Sequence, residues 1–209
     1  MNVLVVHNKY KQKGGEDVVV ANEVKLLEEM GYTVFEYIRS NDELDSMGLL
    51  QKICLPFTTI FSIKSYREVY KLIRKNKIDI LHVHNTLCVI SPSVYYAGFK
   101  NKIPVFQTIH NFRFLCPSGL FLKDYKICTD CVDKGLHMAL KGKCYRDSFF
   151  QTFTVVLMLK VHRGLGTYNR LNYICLSDYN KTQIMKLNSK KGVSINENQI
   201  FVKPNFMDK

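Results

Sequence analysis

The chain has 209 residues, of which 46% are hydrophobic and 23% charged, the balance of an ordinary globular domain. Its 30 lysine and arginine residues against 18 acidic residues give a net charge of +12. Such an excess implies an anionic partner or surface, and nucleic acid, anionic lipid and phosphorylated small molecules all fit it. No apolar run reaches about 18 residues, so we predict no membrane-spanning helix. Seven cysteines without a signal peptide indicate a reducing compartment and exclude a disulfide scaffold.

The chain begins with a predicted strand, a glycine turn and a helix. Residues 3–6 are valine and leucine and predict a buried strand, and residues 18–27 place apolar side chains at helical spacing. Paired glycines in the turn at 13–17 allow a ligand to approach the backbone, and the N-terminus of the following helix attracts anions. The turn either binds an anionic or hydroxyl-rich ligand at Gly14 and Gly15 or only connects the two elements. It matches neither the dinucleotide-binding pattern nor the P-loop, which argues against those two classes of site.

Strands and helices alternate along most of the remaining chain. Apolar and β-branched segments predict strands at 32–38, 79–84, 104–110, 173–177 and 199–203. Helical spacing predicts helices at 63–77, 93–99, 149–161 and 178–187. The segment 49–61 is apolar, with a predicted break at Pro56. This alternation predicts an α/β fold with a Rossmann-like parallel sheet flanked by helices.

Three histidines occupy equivalent places in this predicted sheet. His7, His84 and His110 each stand towards the carboxyl end of a different strand. Ligands of open parallel sheets bind in the crevice beyond the carboxyl ends of the strands, so the three side chains would share that edge. A single histidine there is more often a structural hydrogen-bonder than a functional group, and both roles stay open for each of them.

Two segments have compositions suited to a membrane surface. The predicted helix at 63–77 is strongly basic, and its apolar positions Val69, Leu72 and Ile73 share one face. It is either a crossover helix with a solvated basic face or a helix that rests on an anionic membrane. The apolar helix at 149–161 is too short to span a bilayer, so we predict a buried or partly membrane-contacting helix.

An irregular segment that ends near residue 144 interrupts the alternation. It holds four of the seven cysteines, at Cys116, Cys128, Cys131 and Cys144. A C-x-x-C pair with one further cysteine on each side fits a tetrahedral thiolate site for zinc, and free or redox-active thiols are the alternative. The other three cysteines lie in apolar settings and are predicted to be buried thiols of the core: Cys54, Cys88 and Cys175.

The order of these motifs resembles the N-terminal domain of family four glycosyltransferases, which are retaining, nucleotide-sugar-dependent enzymes of GT-B fold. The matching segments are Gly14-Gly15-Glu16, Asp79 through His84, Val105 through Asn111, Cys175-Leu176-Ser177 and Val202 through Asn205. The cysteine-rich insertion, residues 112–146, looks like one found in a subset of bacterial surface-polysaccharide transferases. The resemblance covers essentially the whole chain, residues 1–209, as a single Rossmann-like domain.

The resemblance implies roles for the matching residues. His110 would be the catalytic residue, which orients the donor sugar or hydrogen-bonds in the transition state. Donor or acceptor contacts are implied for Gly14, Gly15, Glu16, His84, Asn85 and Asn111. The two glycines would lie against the donor diphosphate and the acceptor, and His84 with Asn85 would line the acceptor side.

The resemblance also implies a second domain. In this family a C-terminal Rossmann domain holds most of the donor site, including a Glu-x7-Glu element, and no such element can be placed in this sequence. We therefore expect the donor-binding domain to be absent from this chain, and the chain alone to be inactive. A truncated piece, a fragment of an interrupted gene and one subunit of a split enzyme with a partner chain all fit that expectation.

Two classes of function compete. The first is the acceptor-binding half of a transferase for cell-surface polysaccharide or glycolipid, with a UDP- or GDP-sugar as donor and a lipid-linked or saccharide acceptor. Such a chain would be cytoplasmic and peripheral at the inner face of the cell membrane, with a structural zinc ion. The alternative is a non-enzymatic, basic, zinc-bearing module that binds RNA or an anionic membrane. The chain shows no fold signature for nucleic-acid binding, so we expect no nucleic-acid partner.

Overall fold

A computed structural model describes residues 1–12 and 14–206. Lys13, part of the predicted first turn, lies outside the described residues. These residues form eight strands: β1 (Asn2–Lys9), β2 (Thr33–Ser40), β3 (Ile80–Asn85), β4 (Val105–Ile109), β5 (Leu122–Lys123), β6 (Lys126–Ile127), β7 (Asn172–Cys175) and β8 (Ile200–Val202). Six of them form one parallel sheet in the order β2-β1-β3-β4-β7-β8, while β5 and β6 pair as a small antiparallel hairpin. The predicted Rossmann-like parallel sheet is confirmed.

The helices connect the strands and cover both faces of the sheet. They are α1 (Gly15–Glu29), α2 (Leu49–Ile60), α3 (Ile63–Lys75), α4 (Ser93–Asn101), α5 (Asp130–Asp133), α6 (His137–Lys141), α7 (Phe149–Gly164) and α8 (Asp178–Met185). Three of them begin after a serine whose side chain accepts a hydrogen bond from a first-turn N–H group: Ser62, Ser148 and Ser177. These caps explain why α3, α7 and α8 start within one residue of the predicted positions.

Alternate residues of each strand face opposite sides of the sheet. On β1, Val3 and Val5 pack with Val20 under α1, whereas Leu4 and Val6 face the larger core on the other side. Helices α3, α4 and α7 line that larger core. We call the side of the sheet that packs against α1 the α1 face. Helix α1 covers the side chains on this face, and it begins in the glycine turn.

The strand order opens a crevice at one edge of the sheet. The chain leaves β1 towards β2 on one side, and β3 lies on the other side of β1. Connections that run in opposite directions from two adjacent parallel strands leave a gap beyond their carboxyl ends, which is where ligands of such sheets bind. The segments that leave β1, β3 and β4 all meet this edge.

Two predictions about the segment 49–61 are wrong. The helix α2 continues through Pro56 rather than breaking there. Pro56 is exposed, so the carbonyl that loses its N–H partner at this position can be hydrated instead. Cys54 lies on the same helix and is exposed rather than buried, while Cys88 and Cys175 are buried as predicted. No helix in the described ranges is long and apolar enough to cross a membrane.

Candidate functional site

The glycine turn is held in place by the half-buried carboxylate of Asp17 at its end. Asp17 Oδ1 lies 2.9 Å from His7 Nε2, and Asp17 Oδ2 accepts a 3.0 Å hydrogen bond from the Gly14 N–H. Burial opposes ionisation of Asp17, but the bonds from His7 and Gly14 outweigh it and lower the pKa of the carboxyl group. A Cβ atom at Gly14 or Gly15 would meet nothing within 4 Å, so the side of the turn next to both glycines is open. The N-terminus of α1 is therefore rigid and accessible.

A hydrogen bond joins this turn to the segment after β4. Asn111 Nδ2 donates to Glu16 Oε1 at 2.9 Å, and Asn111 Oδ1 accepts from the Arg113 N–H at 3.0 Å. Burial raises the pKa of Glu16, against the lowering effects of the Asn111 bond and the Arg113 charge. The N-terminus of α1 and the residues after β4 thus flank one opening, although they are about 95 residues apart in sequence.

Two histidines from adjacent strands form the floor of this opening. His84 Nδ1 lies 2.9 Å from His110 Nε2, and the two rings are stacked with centroids 5.2 Å apart. His82 and His84 are two residues apart on β3, and Thr108 and His110 are two residues apart at the end of β4. Side chains two residues apart point to the same face of a sheet, so all four lie on the α1 face. The structure therefore brings together the histidines that the sequence placed at one edge.

A charged pair stands behind His84. Glu23 of α1 is only 3% exposed, and its Oε2 lies 3.3 Å from His84 Nε2. Lys203, which follows β8, donates a hydrogen bond to the other oxygen, Glu23 Oε1. Glu23 Oε2 also lies 3.9 Å from His82 Nε2, and neither Glu23 Oε2 nor His84 Nε2 forms a hydrogen bond of good geometry among residues 1–12 and 14–206. A row of side chains therefore runs from Lys203 through Glu23 and His84 to His110, which we call the histidine row.

The histidine row determines which nitrogen of His110 is free. The negative charge of Glu23, 3.3 Å from His84 Nε2, favours the His84 tautomer with a proton on Nε2, in which Nδ1 is an acceptor. His110 Nε2–H then donates to it, which leaves a lone pair on His110 Nδ1. Burial lowers the pKa of His110 to about 4, against the raising effect of Glu23, so the ring is neutral near pH 7. His110 can therefore accept a hydrogen bond or a proton at Nδ1.

Glu23, His82 and His84 also bring three ligand atoms within 4.8 Å of one another, the one such group of histidine, cysteine and acidic residues in the described chain. His82 Nε2 is already 2.8 Å from Thr108 Oγ1, and burial lowers the pKa of His82 to about 4. Lys203 supplies the positive charge that Glu23 needs. We therefore interpret this group as a charge-paired hydrogen-bond network rather than a metal centre.

A small cavity lies beside His110 on the other face of the sheet. Its volume is about 40 Å³, which holds a few water molecules and not a sugar, so a substrate must approach from the open edge. Asn85 lines this cavity, and its side chain binds backbone: Nδ2 donates to Asn8 O at 2.8 Å and Oδ1 accepts from Leu87 N at 3.1 Å. Asn85 therefore holds the ends of β1 and β3 together, and its contact with an acceptor stays a prediction. The four clustered cysteines lie in the insertion, outside this opening.

The sequence did not single out Glu23 or Lys203. Glu23 had a detectable signal, because it stands three residues after Val20 and four before Leu27, on the face of the predicted helix that is otherwise apolar. A charged residue at such a position is rarely buried without a partner. Lys203 carried no comparable signal, since a lysine after a strand is ordinary.

The sequence matches a family model over residues 12–131, more than half of the chain, and that family is described as glycosyl transferase 4-like. The chain belongs to the glycosyl transferase 4-like family. The matched region contains the glycine turn, the first part of the insertion, and Glu23, His84 and His110 of the histidine row. No curated protein matches the sequence.

Solved structures similar to the chain include two proteins connected with UDP-sugars. One is a candidate UDP-N-acetylglucosamine 2-epimerase from Listeria monocytogenes, with 12% identity and a TM-score of 0.48 over 96% of this chain and 43% of that one. The other is the S. aureus MnaA–UDP complex, with 12% identity and a TM-score of 0.47 over 93% of this chain and 44% of that one. The chain spans less than half the length of either structure. The fold assignment rests on the strand order of the sheet.

Proposed function

We propose that the chain is the acceptor-binding half of a retaining, nucleotide-sugar-dependent glycosyltransferase of family four, with GT-B architecture. The observation that carries this proposal is the single opening shared by the N-terminus of α1 and His110, joined by the Glu16–Asn111 hydrogen bond. The first-turn N–H groups of Gly15 and Glu16 and the helix dipole suit the diphosphate of a UDP- or GDP-sugar, whereas the Gly14 N–H is already bonded to Asp17 Oδ2. The remaining donor contacts come from a second domain, and the chain alone is inactive.

His110 acts on the donor sugar in this proposal. Its neutral ring accepts a hydrogen bond from a sugar hydroxyl at Nδ1, while the histidine row holds the ring in one tautomer and one orientation. Retaining transfer with a diphosphate leaving group depends mainly on positioning and on electrostatic stabilisation of the leaving charge. His110 Nδ1, a hydrogen-bond acceptor held in one orientation, positions the sugar from one side. The N-terminus of α1 on the other side stabilises the charge of the leaving diphosphate.

A groove between α2 and α7 is the observation that favours a lipid-linked acceptor over a purely saccharide one. Its volume is about 330 Å³, and apolar side chains such as Leu55 and Val155 line it together with Tyr145. The Arg113 guanidinium lies over the Tyr145 ring, 5.3 Å from its centroid, so the groove reaches the residues after β4. An acyl or polyprenyl chain fits such a groove, with its head group near His110.

The outer surface of the same two helices supports docking on an anionic membrane. We call it the apolar ridge, and it consists of Leu49, Leu50, Ile53, Phe57, Phe149, Phe150 and Phe153. Leu50 is 78% exposed and Phe150 80% exposed, so burial in lipid is favourable for them. The exposed face of α3 adds lysine and arginine side chains that attract anionic head groups: Lys64, Arg67, Lys71, Arg74 and Lys75. Membership of the transferase family supports this role over the alternative of an RNA-binding module.

A transfer assay tests the proposed function. Membranes of cells that express the natural full-length protein are incubated with radiolabelled UDP- and GDP-sugars, and lipids are then extracted. We expect label from one of these donors to enter the lipid fraction, and no label in membranes of cells without the protein. Label that enters only water-soluble saccharide would contradict the lipid-linked acceptor, and no transfer from any nucleotide sugar would contradict the transferase itself.

Replacing two ridge residues tests the membrane surface. We expect Leu50→Ser with Phe150→Ser to weaken binding to phosphatidylglycerol vesicles at least about tenfold, because each large apolar side chain contributes about 1.5–3 kcal/mol when it is buried. Co-sedimentation of the purified chain measures the binding. Ile127→Ser is the matched control, since Ile127 is 87% exposed on the β5–β6 hairpin and is not part of the apolar ridge. Vesicle binding that is unchanged in the double variant, or unchanged in purely zwitterionic vesicles, would contradict the proposal.

A further inference from the structure

The cysteine-rich insertion has little regular structure to hold it together. Strands β5 and β6 have two residues each, and α5 and α6 have four and five. Residues 122–127 are all exposed. The buried apolar side chains of the insertion, among them Phe121, Leu136 and Ala139, pack against the main core, and a metal cross-link is one further way in which small irregular segments become stable. The four cysteines are the chemical groups that could supply it.

Two of the four thiols already lie in contact in the interior. Cys116 and Cys131 are 7% and 6% exposed, and their side chains are hydrogen-bonded to each other. Hydrogen bonding with the Cys131 thiol lowers the pKa of Cys116 against the effect of burial, and Ser118 Oγ lies 3.1 Å from the same sulfur. Hydrogen-bond donors beside a sulfur stabilise a thiolate, which is the form of cysteine that binds metals.

The other two thiols stand at the rim of this pair. Cys128 and Cys144 are half-buried and lie close enough to Cys131 to interact electrostatically with it. No three of the four sulfur atoms lie within 4.8 Å of one another in the described chain, so a metal would draw the rim thiols inward. Cys144 has room to do so because residue 142 is glycine: a Cβ there would lie 2.8 Å from Cys144 Sγ.

The charge around the thiols suits a metal–thiolate group. Zinc with four thiolates carries a net charge of about −2, and Lys123 lies beside Cys144: burial raises the pKa of the Cys144 thiol, and the Lys123 charge opposes that effect. A four-thiolate set leaves no open coordination position, so such a metal is structural and takes no part in chemistry.

We propose that Cys116, Cys128, Cys131 and Cys144 bind one zinc ion that fastens the insertion beside the opening. Cys116 lies six residues after His110. Tyr145 directly follows Cys144 and carries the Arg113 guanidinium on its ring. The metal thereby connects the two ends of the insertion at the residues that approach the opening. This inference does not depend on the transferase function, because its tests measure metal binding alone.

Metal analysis and cobalt substitution test the site on the unaltered chain. Protein purified under reducing conditions should contain about one zinc per chain by elemental mass spectrometry. After removal of the zinc, cobalt(II) should produce the thiolate-to-metal charge-transfer band and the intense visible absorption of tetrahedral thiolate coordination. A chain that carries no zinc and shows no such spectrum would overturn the proposal. So would a Cys116–Cys131 disulfide in protein alkylated at the moment of cell lysis.

Single substitutions at the rim test which cysteines are ligands. Cys128→Ser and Cys144→Ser should each lose the cobalt spectrum of a four-thiolate site and most of the bound zinc. Cys54→Ser is the matched control, because Cys54 is exposed on α2 and far along the chain from the insertion, and it should keep both. Full zinc content in both rim variants would overturn the assignment. Should a variant fail to fold, the cobalt titration of the unaltered chain still decides.

Discussion

His110→Ala in the full-length transferase is expected to lower kcat by about 10²–10³-fold, the usual cost of removing one positioned hydrogen-bonding group from a reaction centre. His110 is half-buried and donates to His84 Nδ1, so its loss leaves a buried acceptor unpaired and should also cost about 1–3 kcal/mol of unfolding free energy. Initial rates of sugar transfer, measured at saturating nucleotide sugar, provide the test. A rise in KM with kcat unchanged would show that His110 contributes only to binding.

The pH dependence of kcat is a second readout of the same residue. Burial lowers the pKa of His110 to about 4, so the ring is neutral at pH 7 and takes up a proton only in acid. Protonation at Nδ1 would remove the lone pair that accepts the hydrogen bond. We therefore expect kcat to be flat with respect to His110 between about pH 6 and pH 8 and to fall below about pH 5.

His137→Ala is the matched control for His110→Ala, since His137 is exposed on α6, away from the opening. It should retain the full rate and the same pH profile. A His110→Ala enzyme that retains the full transfer rate would remove the catalytic assignment, and the histidine row would then be a structural feature of the sheet.

Gly14→Ala is expected to reduce kcat/KM for the nucleotide sugar by about 10–100-fold, with a loss of only about 0.5–1 kcal/mol of unfolding free energy. Gly14 precedes α1 with φ −120°, a conformation that alanine also adopts, and a Cβ there would meet nothing within 4 Å. The space that the methyl group would fill is the approach to the free N–H groups of α1. Displacing a diphosphate by about 1 Å is enough for a loss of this size.

Gly48→Ala is the matched control for Gly14→Ala. Gly48 also precedes a helix, α2, and a Cβ there would likewise meet nothing within 4 Å. Both substitutions should cost about 0.5–1 kcal/mol of unfolding free energy, because alanine is a poorer helix cap than glycine. Thermal unfolding of the two variants, alongside transfer rates with the same donor, separates the effects. Equal activities in both variants would contradict a donor site at the turn.

The order of strands and helices was predictable because hydrophobic periodicity reports which residues are buried. The apolar runs at residues 3–6 and 79–84 lie in β1 and β3, and serines stand at the starts of α3, α7 and α8. The predicted break at Pro56 failed for a local reason, since an exposed proline is tolerated where water reaches the free carbonyl. Cys54 failed for a related reason: the outer face of α2 is apolar without being covered, so composition alone suggested burial there.

The sequence by itself determined which strand ends would carry histidines, because parallel strands connected by helices place their carboxyl ends at one edge. Only the tertiary structure decided what those histidines contact. Lys203 and Glu23 are 180 residues apart in sequence. They meet because the sheet places β8 on the same side of β1 as β3 and β4, and α1 packs on the face of the sheet that these strands share. Periodicity specifies the face on which a side chain lies, whereas its partners across the sheet depend on strand order, which the connections between strands set.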